Sequence, residues 1–261
     1  MKARYLAVTI IILMSSLESA TATEPILITL SGDMDKVIFD GKWSFYTEWK
    51  SSSLNTLSYG DGTIIQLRTA HQDNFIYVFA DVITNSHFVK GSDIAMVCFD
   101  GNDNKTTLPD SDDYCFMATL DGKKSFAYQG GSPLRFNGNF KKIPNPEGFI
   151  GIGGVSDEND RYAKVPHSGY EFRIPTSLVG RSSSYGFYFT TYDTYSNKFY
   201  SWPEDVKIDK PIQIPNPSLW GDLISPDQSL PEFPWSALIL VSAFSVIFFF
   251  SNKKFSSFYD K

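Results

Sequence analysis

Short runs of apolar and β-branched residues, each ended by turn-forming residues, dominate the middle of the chain. Between the N-terminal end and Trp235, no long segment repeats apolar residues with the 3.6-residue period of an amphipathic helix. We expect strands at 63–69, 75–82, 93–100, 114–120, 149–155, 170–174, 185–192 and 198–202. One short helix or turn is predicted at 177–179. Many strands without long helices predict an all-β fold, an antiparallel β-sandwich.

The N-terminal end has the order of a secretory signal peptide. Lys2 and Arg4 precede the apolar run 5–14, and a stretch of small residues ends at Ala22. This order predicts a signal peptide over 1–22, cleaved after Ala22. An uncleaved anchor or a buried helix is the alternative, but the apolar run is short for crossing a bilayer.

The C-terminal end has the pattern of a membrane span. No charged residue occurs between Glu232 and Lys253. About twenty apolar residues at ~1.5 Å each cross a ~30 Å hydrocarbon layer, so we expect a transmembrane helix over 231–252. Positive charge is retained on the cytoplasmic side, which makes 253–261 a cytoplasmic tail and places the rest of the protein on the extracellular face of the membrane.

The segment 203–230 is rich in proline and has little hydrophobic periodicity. Such a segment predicts an extended, semi-rigid stalk. The folded domain is therefore expected to span 26–202.

The junction at 231–234 reads Pro-Glu-Phe-Pro and stands directly before the apolar segment and its basic end. It resembles the PEF-type C-terminal sorting signal of archaeal surface proteins. The resemblance implies that an archaeosortase cuts the chain here and that a lipid-type anchor replaces the span. A plain single-pass anchor remains the alternative.

Charge and composition exclude several classes of protein. The chain has 29 acidic and 23 basic residues and a net charge of −6, which gives no electrostatic footprint for nucleic acid. With only three His and two Cys, it does not fit zinc fingers, iron–sulfur proteins or disulfide-rich miniature folds.

One predicted hairpin has an internal symmetry. If its loop is centred between residues 106 and 107, alternate residues share a face and like residues oppose each other. The three pairs are Asp100 and Asp113, Cys98 and Cys115, and Met96 and Met117. Because an exported domain meets an oxidising compartment, a disulfide between the cysteines is favoured over two buried thiols. The methionines are expected to pack in the sandwich interior.

The loop of this hairpin is acidic, and two opposed carboxylates repel unless a cation or water separates them. Oxygen ligands of this kind suit calcium. The candidate ligands are Asp100, Asp103, Asp110, Asp112 and Asp113. The spacing does not match an EF-hand, because the sixth position is Lys105 and the twelfth is Ser111. A solvated acidic turn is favoured, and a calcium site stays open.

The sequence contains a glycosylation motif and no arrangement typical of an enzyme. Asn104 begins an N-x-T acceptor site on the same loop. Carboxylates are common, but no pair is singled out for glycoside hydrolysis. The three histidines show no metal-ligand spacing, and no phosphate-binding glycine loop precedes a helix. A non-catalytic role is predicted.

Several motifs stand in the order found in one family of sugar-binding proteins. They are Asp40-Gly41-Lys42-Trp43, Glu48-Trp49, the strand 75–82, the segment 93–100, and 170–175 before Leu178-Val179-Gly180. Their order resembles the family 9 carbohydrate-binding modules, and the wider DOMON-like sandwiches share it. The resemblance covers about 37–202.

The resemblance implies a jelly-roll-like sandwich that clamps a sugar between aromatic rings, with polar side chains around it. Candidates for such rings, at predicted strand ends or loops, are Trp43, Tyr192, Tyr195 and Trp202. Two alternatives remain open. One is a DOMON-type electron-transfer module, in which a methionine or lysine ligates haem iron or a metal. The other is a structural protein of the cell envelope.

Overall fold

The computed structural model describes residues 23–121, 124–134, 136–206, 208 and 213–229, which form two β-sheets. Within these residues, the larger sheet has eight strands: β1 (Ile26–Leu27), β14 (Gly221–Ile224), β12 (Ser184–Asp193), β6 (Ile94–Asp100), β7 (Asp113–Thr119), β8 (Ser125–Gln129) and β9 (Lys141–Ile143) in spatial order, with β13 (Lys198–Trp202) paired to β12. The smaller has six: β10 (Ile150–Val155), β11 (Ser168–Pro175), β5 (Phe75–Val82), β4 (Ile64–Gln72) and β2 (Thr29–Leu30), with β3 (Ser53–Ser58) also paired to β4.

The all-β sandwich prediction is confirmed. The eight predicted strands correspond to β4, β5, β6, β7, β10, β11, β12 and β13, and the short helix to α1 (Thr176–Val179). A second short helix, α2 (Pro226–Ser229), follows β14. The described strand pairs are antiparallel except for the short parallel pairs β1–β14 and β2–β4.

The central strands bury both faces. All seven residues of β6 are buried, although alternate side chains point in opposite directions. Val97 and Phe99 join the core between the two sheets, whereas Met96 and Cys98 join a second core on the outer face of the larger sheet. Burial on both sides explains why such strands appear in the sequence as continuous apolar runs.

Two irregular segments cover the outer faces of the sheets. The segment 33–50 packs Trp43 and Trp49 against Phe79 on the smaller sheet. On the larger sheet, Phe140, Val206, Ile214 and Trp220 cover the second core. The sandwich therefore has three apolar layers.

The hairpin of β6 and β7 has the predicted register. Met96 opposes Met117, Cys98 opposes Cys115, and Asp100 opposes Asp113. The two cysteines form a disulfide. The methionines are buried in a core, as predicted, but it is the outer core covered by Val206, Ile214 and Trp220 and not the space between the sheets.

The predicted stalk at 203–230 is wrong for the described residues 213–229. Ile214 and Trp220 are 2% and 3% exposed, and β14 joins the larger sheet between β1 and β12. The prolines there are compatible with packing because the segment is extended and anchored by separate apolar side chains. The folded domain consequently extends well beyond Trp202.

The turn at Asp40 and Gly41 docks on the smaller sheet. Gly41 has φ +81°, and an added Cβ would overlap the backbone of Gly154, which only glycine avoids. Its N–H and that of Asp40 donate to Glu171 Oε2 at 2.7 and 2.8 Å, while Trp49 Nε1 donates to Oε1 at 2.9 Å. Burial raises the pKa of Glu171 well above its usual value. Asp40, Gly41 and Trp49, which belong to the motifs described above, therefore have a structural role.

Three other predictions lie outside the described residues: the signal peptide at 1–22, the membrane span at 231–252 and the cytoplasmic tail at 253–261. Across the described part of the chain, none of the helices has the length and apolar character needed to cross a bilayer.

Candidate carbohydrate-binding site

Three of the four predicted aromatic candidates belong to the hairpin of β12 and β13. Tyr192 and Trp202 lie on its strands, and Tyr195 lies in the turn between them. Tyr195 is 68% exposed, whereas Trp202 is 7% exposed and packs against Phe187 in the central core. The turn thus presents one large aromatic ring to solvent.

The ring of Tyr195 is held in place by its neighbours. It stacks on His87, from the connection between β5 and β6, with the ring centroids 4.8 Å apart and the planes at 15°. The backbone N–H of Tyr195 donates to Asp193 Oδ1 at 2.9 Å, and Ser196 Oγ donates to Asp193 Oδ2 at 2.6 Å. We call the stacked pair Tyr195 and His87 the tyrosine platform.

A groove of about 480 Å³ runs along β13 beside this turn. It lies between β13, the turn that joins β3 to β4, and the chain just after β13. Its polar and aromatic lining includes Tyr59, Asp61, Asn197, Lys198, Tyr200 and Glu204. We call it the hairpin groove. Tyr192 is linked to it, because the Tyr192 hydroxyl donates to Asn197 Oδ1 at 2.8 Å.

Charged and phenolic groups in the hairpin groove are fixed by one another. Lys198 Nζ lies 2.6 Å from Asp61 Oδ2 and holds the pKa of Asp61 well below its usual value. The Tyr200 hydroxyl donates to the same oxygen at 3.1 Å. Tyr59 donates its hydroxyl to Ser201 O at 3.0 Å, and burial raises the Tyr59 pKa, so it remains a neutral phenol.

Trp202 borders an adjoining depression, also of about 480 Å³. This depression shares Tyr59, Ser201 and Glu204 with the hairpin groove. The two form a continuous polar and aromatic surface that begins at the turn of the hairpin. Rings beside fixed hydrogen-bonding groups suit a sugar, whose C–H faces are apolar and whose hydroxyls need polar partners.

Trp43 does not join the other three candidates. It is 1% exposed, and its Nε1 donates to Phe45 O at 2.6 Å. The guanidinium groups of Arg68 and Arg161 lie 5.1 and 5.5 Å from its ring centroid. It lines a separate depression of about 750 Å³.

The acidic loop is more ordered than a solvated turn. Asp100 and Asp113 are fully buried. Their Oδ2 atoms accept backbone N–H groups from Lys105 at 2.8 Å and Asp110 at 2.7 Å. Burial, and then the neighbouring carboxylates, raise the pKa of Asp113 to about 7.

The carboxyl of Asp112 and the ammonium of Lys105 also lie close to other carboxylates of this loop and of its neighbour Asp222. Burial, and then Asp110, raise the pKa of Asp112 to about 6. The ammonium of Lys105 contacts Asp222 and lies 3.8 Å from Asp103 Oδ1, so this cation already offsets part of the negative charge. Calcium binding in the loop stays a prediction, as does glycosylation at the exposed Asn104.

Comparison with known proteins gives matches among solved structures, and two of these are structures of a family 9 carbohydrate-binding module from Caldicellulosiruptor kristjanssonii. The complex with glucose has a TM-score of 0.49 and 15% identity, over 77% of this chain and 95% of that chain. The complex with cellotriose has a TM-score of 0.48 and 15% identity, over 81% and 100%. No family model and no curated protein matches the chain. At this identity, the alignments assign no role to any residue.

Several residues of the groove and the platform were not predicted from the sequence. Tyr59, Asp61 and Glu204 come from separate parts of the chain, and His87 lies in a connection without a motif. Tyr59 and Ser201 are 142 positions apart, yet they are hydrogen-bonded. The available signal was the turn sequence Tyr59-Gly60-Asp61-Gly62, which places an aromatic and an acidic residue at the end of a strand.

Proposed function

We propose that this protein is a non-catalytic carbohydrate-binding module, with its ligand across the tyrosine platform and the hairpin groove. The observation that carries the proposal is the ring of Tyr195, 68% exposed and stacked on His87. It lies in the same turn as Asn197, which lines a groove of carboxylates and phenols. The order of the motifs from Asp40 to Gly180, which resembles family 9 carbohydrate-binding modules, supports the same class.

The geometry favours a sugar that offers a C–H face and several hydroxyls. The ring of Tyr195 would pack against the C–H face of one sugar residue. Glu204 and Asn197, both exposed in the groove, would then accept and donate hydrogen bonds to hydroxyls of the next residue. Because Asp61 and Glu204 accompany a single lysine here, a neutral glycan fits better than an acidic one.

A glycan array followed by isothermal titration of the full chain tests the proposal. Cellotriose, the ligand in one of the matching structures, is the first soluble probe. Saturable binding of a neutral oligosaccharide, with quenching or protection of tyrosine fluorescence, would support a sugar site. An array without any hit, together with a flat cellotriose titration, would contradict it and favour a structural role in the envelope.

We also propose that the module acts outside the cell, held at the membrane by the C-terminal segment. The signal-peptide pattern at 1–22 and the apolar segment at 231–252 with its basic end support this. Sorting at 231–234 by an archaeosortase would replace the span with a lipid-type anchor. Protease shaving of intact cells should remove the folded domain, and the mass of the mature C-terminus separates a retained span from a processed one.

A further inference from the structure

A second buried cluster lies under the connection between β10 and β11 and plays no part in the proposed sugar site. It consists of Asp81 on β5, with Asp160 and His167 in the connection. The side chains of Asp81 and His167 are each 1% exposed. One ligand atom from each of the three residues lies within 4.8 Å of the others.

The closest contact inside the cluster joins the imidazole of His167 to a carboxylate oxygen of Asp81. His167 Nε2 lies 2.7 Å from Asp81 Oδ1 and 3.8 Å from Asp160 Oδ1. Within the described part of the chain, His167 Nε2, both carboxylate oxygens of Asp81 and Asp160 Oδ2 have no hydrogen-bond partner. Buried polar atoms are nearly always paired. Asp81 Oδ2 and Asp160 Oδ2 lack such a partner within a cluster of three potential metal ligands, so they call for a common partner.

The surroundings orient the ligand atoms. His167 Nδ1 lies 2.7 Å from Val165 O, so the hydrogen on Nδ1 can donate to that carbonyl and leave the lone pair of Nε2 facing the cluster. Metal-binding histidines usually donate their other ring N–H in this way. Asp160 Oδ1 accepts the N–H groups of Tyr162 and Ala163 at 2.7 and 3.0 Å, which leaves Oδ2 for another partner.

We propose that Asp81, Asp160 and His167 bind a divalent first-row transition-metal ion, with zinc as the best fit. One imidazole nitrogen and two carboxylate oxygens are zinc ligands, whereas calcium takes oxygen ligands. Bonds of about 2.0–2.2 Å place neighbouring ligand atoms roughly 3.0–3.5 Å apart. The 2.7 Å between His167 Nε2 and Asp81 Oδ1 lies just below this range, and Asp160, whose free oxygen is Oδ2, has its other oxygen 3.8 Å from Nε2. Water would supply the remaining ligand.

A metal at this place would tie the connection 156–167 to the smaller sheet. The connection also carries Arg161 and Tyr162, which pack on Trp43. The metal would therefore stabilise the surface around Trp43, on a different element from the tyrosine platform. Zinc binding and sugar binding can thus succeed or fail independently.

The test uses the full chain, prepared without a polyhistidine tag and stripped with a chelator. Zinc content is measured by mass spectrometry after dialysis, and thermal unfolding is followed with and without added zinc. We expect one zinc per chain and a higher melting temperature with zinc. His167→Gln should weaken zinc binding at least about a hundredfold. His71→Gln removes another buried histidine, which contacts Ser225, and should leave zinc binding unchanged.

Cobalt substitution provides a second measurement that does not depend on a variant folding. The cobalt form of the wild-type chain should show an absorption spectrum of nitrogen and oxygen ligation, and excess zinc should remove it. Failure of the wild-type chain to retain zinc, or equal zinc effects in the wild type and His167→Gln, would overturn the proposal. Nitrogen NMR showing a protonated His167 in the presence of zinc would identify an ion pair with Asp81 instead.

Discussion

Two glycines with similar backbone conformations have different surroundings. Gly41 has φ +81° and Gly62 has φ +91°. An added Cβ at Gly41 would lie 2.5 Å from Gly153 C and overlap Gly154, whereas no atom lies within 4 Å of the same position at Gly62. Gly41 is needed both for its positive φ and because its turn lies against the backbone of the smaller sheet, whereas Gly62 is needed for its positive φ alone.

Replacing each glycine with alanine separates these two effects. Gly62→Ala should cost about 1–2 kcal/mol of unfolding free energy, because only backbone strain is added. Gly41→Ala should cost at least ~2 kcal/mol more, because the turn must also move away from the smaller sheet. Urea unfolding measures both; equal losses would show that the turn does not dock as described.

His71 makes the stability of the protein depend on pH. Its Nε2 lies 3.0 Å from Ser225 Oγ, and burial lowers its pKa below the ordinary value of 6.5. The neutral ring is favoured in the folded state, so its contribution is present above pH 6.5 and is lost as the pH falls through the lowered pKa.

We therefore expect the wild-type chain to lose more stability between pH 7.5 and pH 5 than His71→Gln does. Urea unfolding at the two pH values measures the difference. His87→Gln, a change at an exposed histidine, serves as the control and should lose as much unfolding free energy between the two pH values as the wild type does. An equal loss of unfolding free energy in His71→Gln and the wild type would contradict this role of His71.

At the scale of elements, the central strands and the hairpin of β6 and β7 were predictable, because burial on two faces gives long apolar runs and because paired like residues fix the register. The shortest strands were not. β1, β2, β9 and β14 have two to four residues each, too few for a periodic pattern. The hairpin groove was also beyond the sequence, since its lining comes from turns that only the strand pairing brings together.

The disulfide of the β6–β7 hairpin should contribute measurably to stability. It joins residues 17 positions apart, and closing a loop of ~15 residues is worth about 3 kcal/mol. Replacing Cys98 and Cys115 together with alanine should lower the unfolding free energy by about 2–4 kcal/mol. Two titratable thiols in the unfolded, unreduced wild-type chain would show instead that the bridge does not form.

At the scale of the whole molecule, the segment 213–229 is part of the sandwich. Trp220 packs on Phe140 and Tyr188, with ring centroids 6.3 and 6.5 Å apart, and its Nε1 donates to Pro215 O at 3.1 Å. This packing was not predicted from the sequence, because the buried apolar residues, such as Ile214 and Trp220, stand among prolines without a regular spacing.

Substitution of Trp220 distinguishes a packed cover from a free stalk. Trp220→Ala should cost about 3–5 kcal/mol, the usual effect of removing a buried aromatic side chain. Leu219→Ala, at a neighbour that is 53% exposed, should cost less than about 0.5 kcal/mol. Small and similar losses of unfolding free energy at both positions would contradict this packing and favour the stalk predicted from the sequence.

We propose that the hairpin turn and its groove bind carbohydrate, and two exposed tyrosines allow a matched test. Tyr195 is 68% exposed on the platform, and Tyr46 is 71% exposed beside the separate depression near Trp43. The measurement is isothermal titration of the wild-type chain, Tyr195→Ala and Tyr46→Ala with cellotriose or the best glycan on the array. Loss of a stacked ring worth about 1.4 kcal/mol should weaken binding about tenfold in Tyr195→Ala and less than about twofold in Tyr46→Ala. A glycan that binds the wild type and Tyr195→Ala equally, or loses affinity only in Tyr46→Ala, would contradict the account.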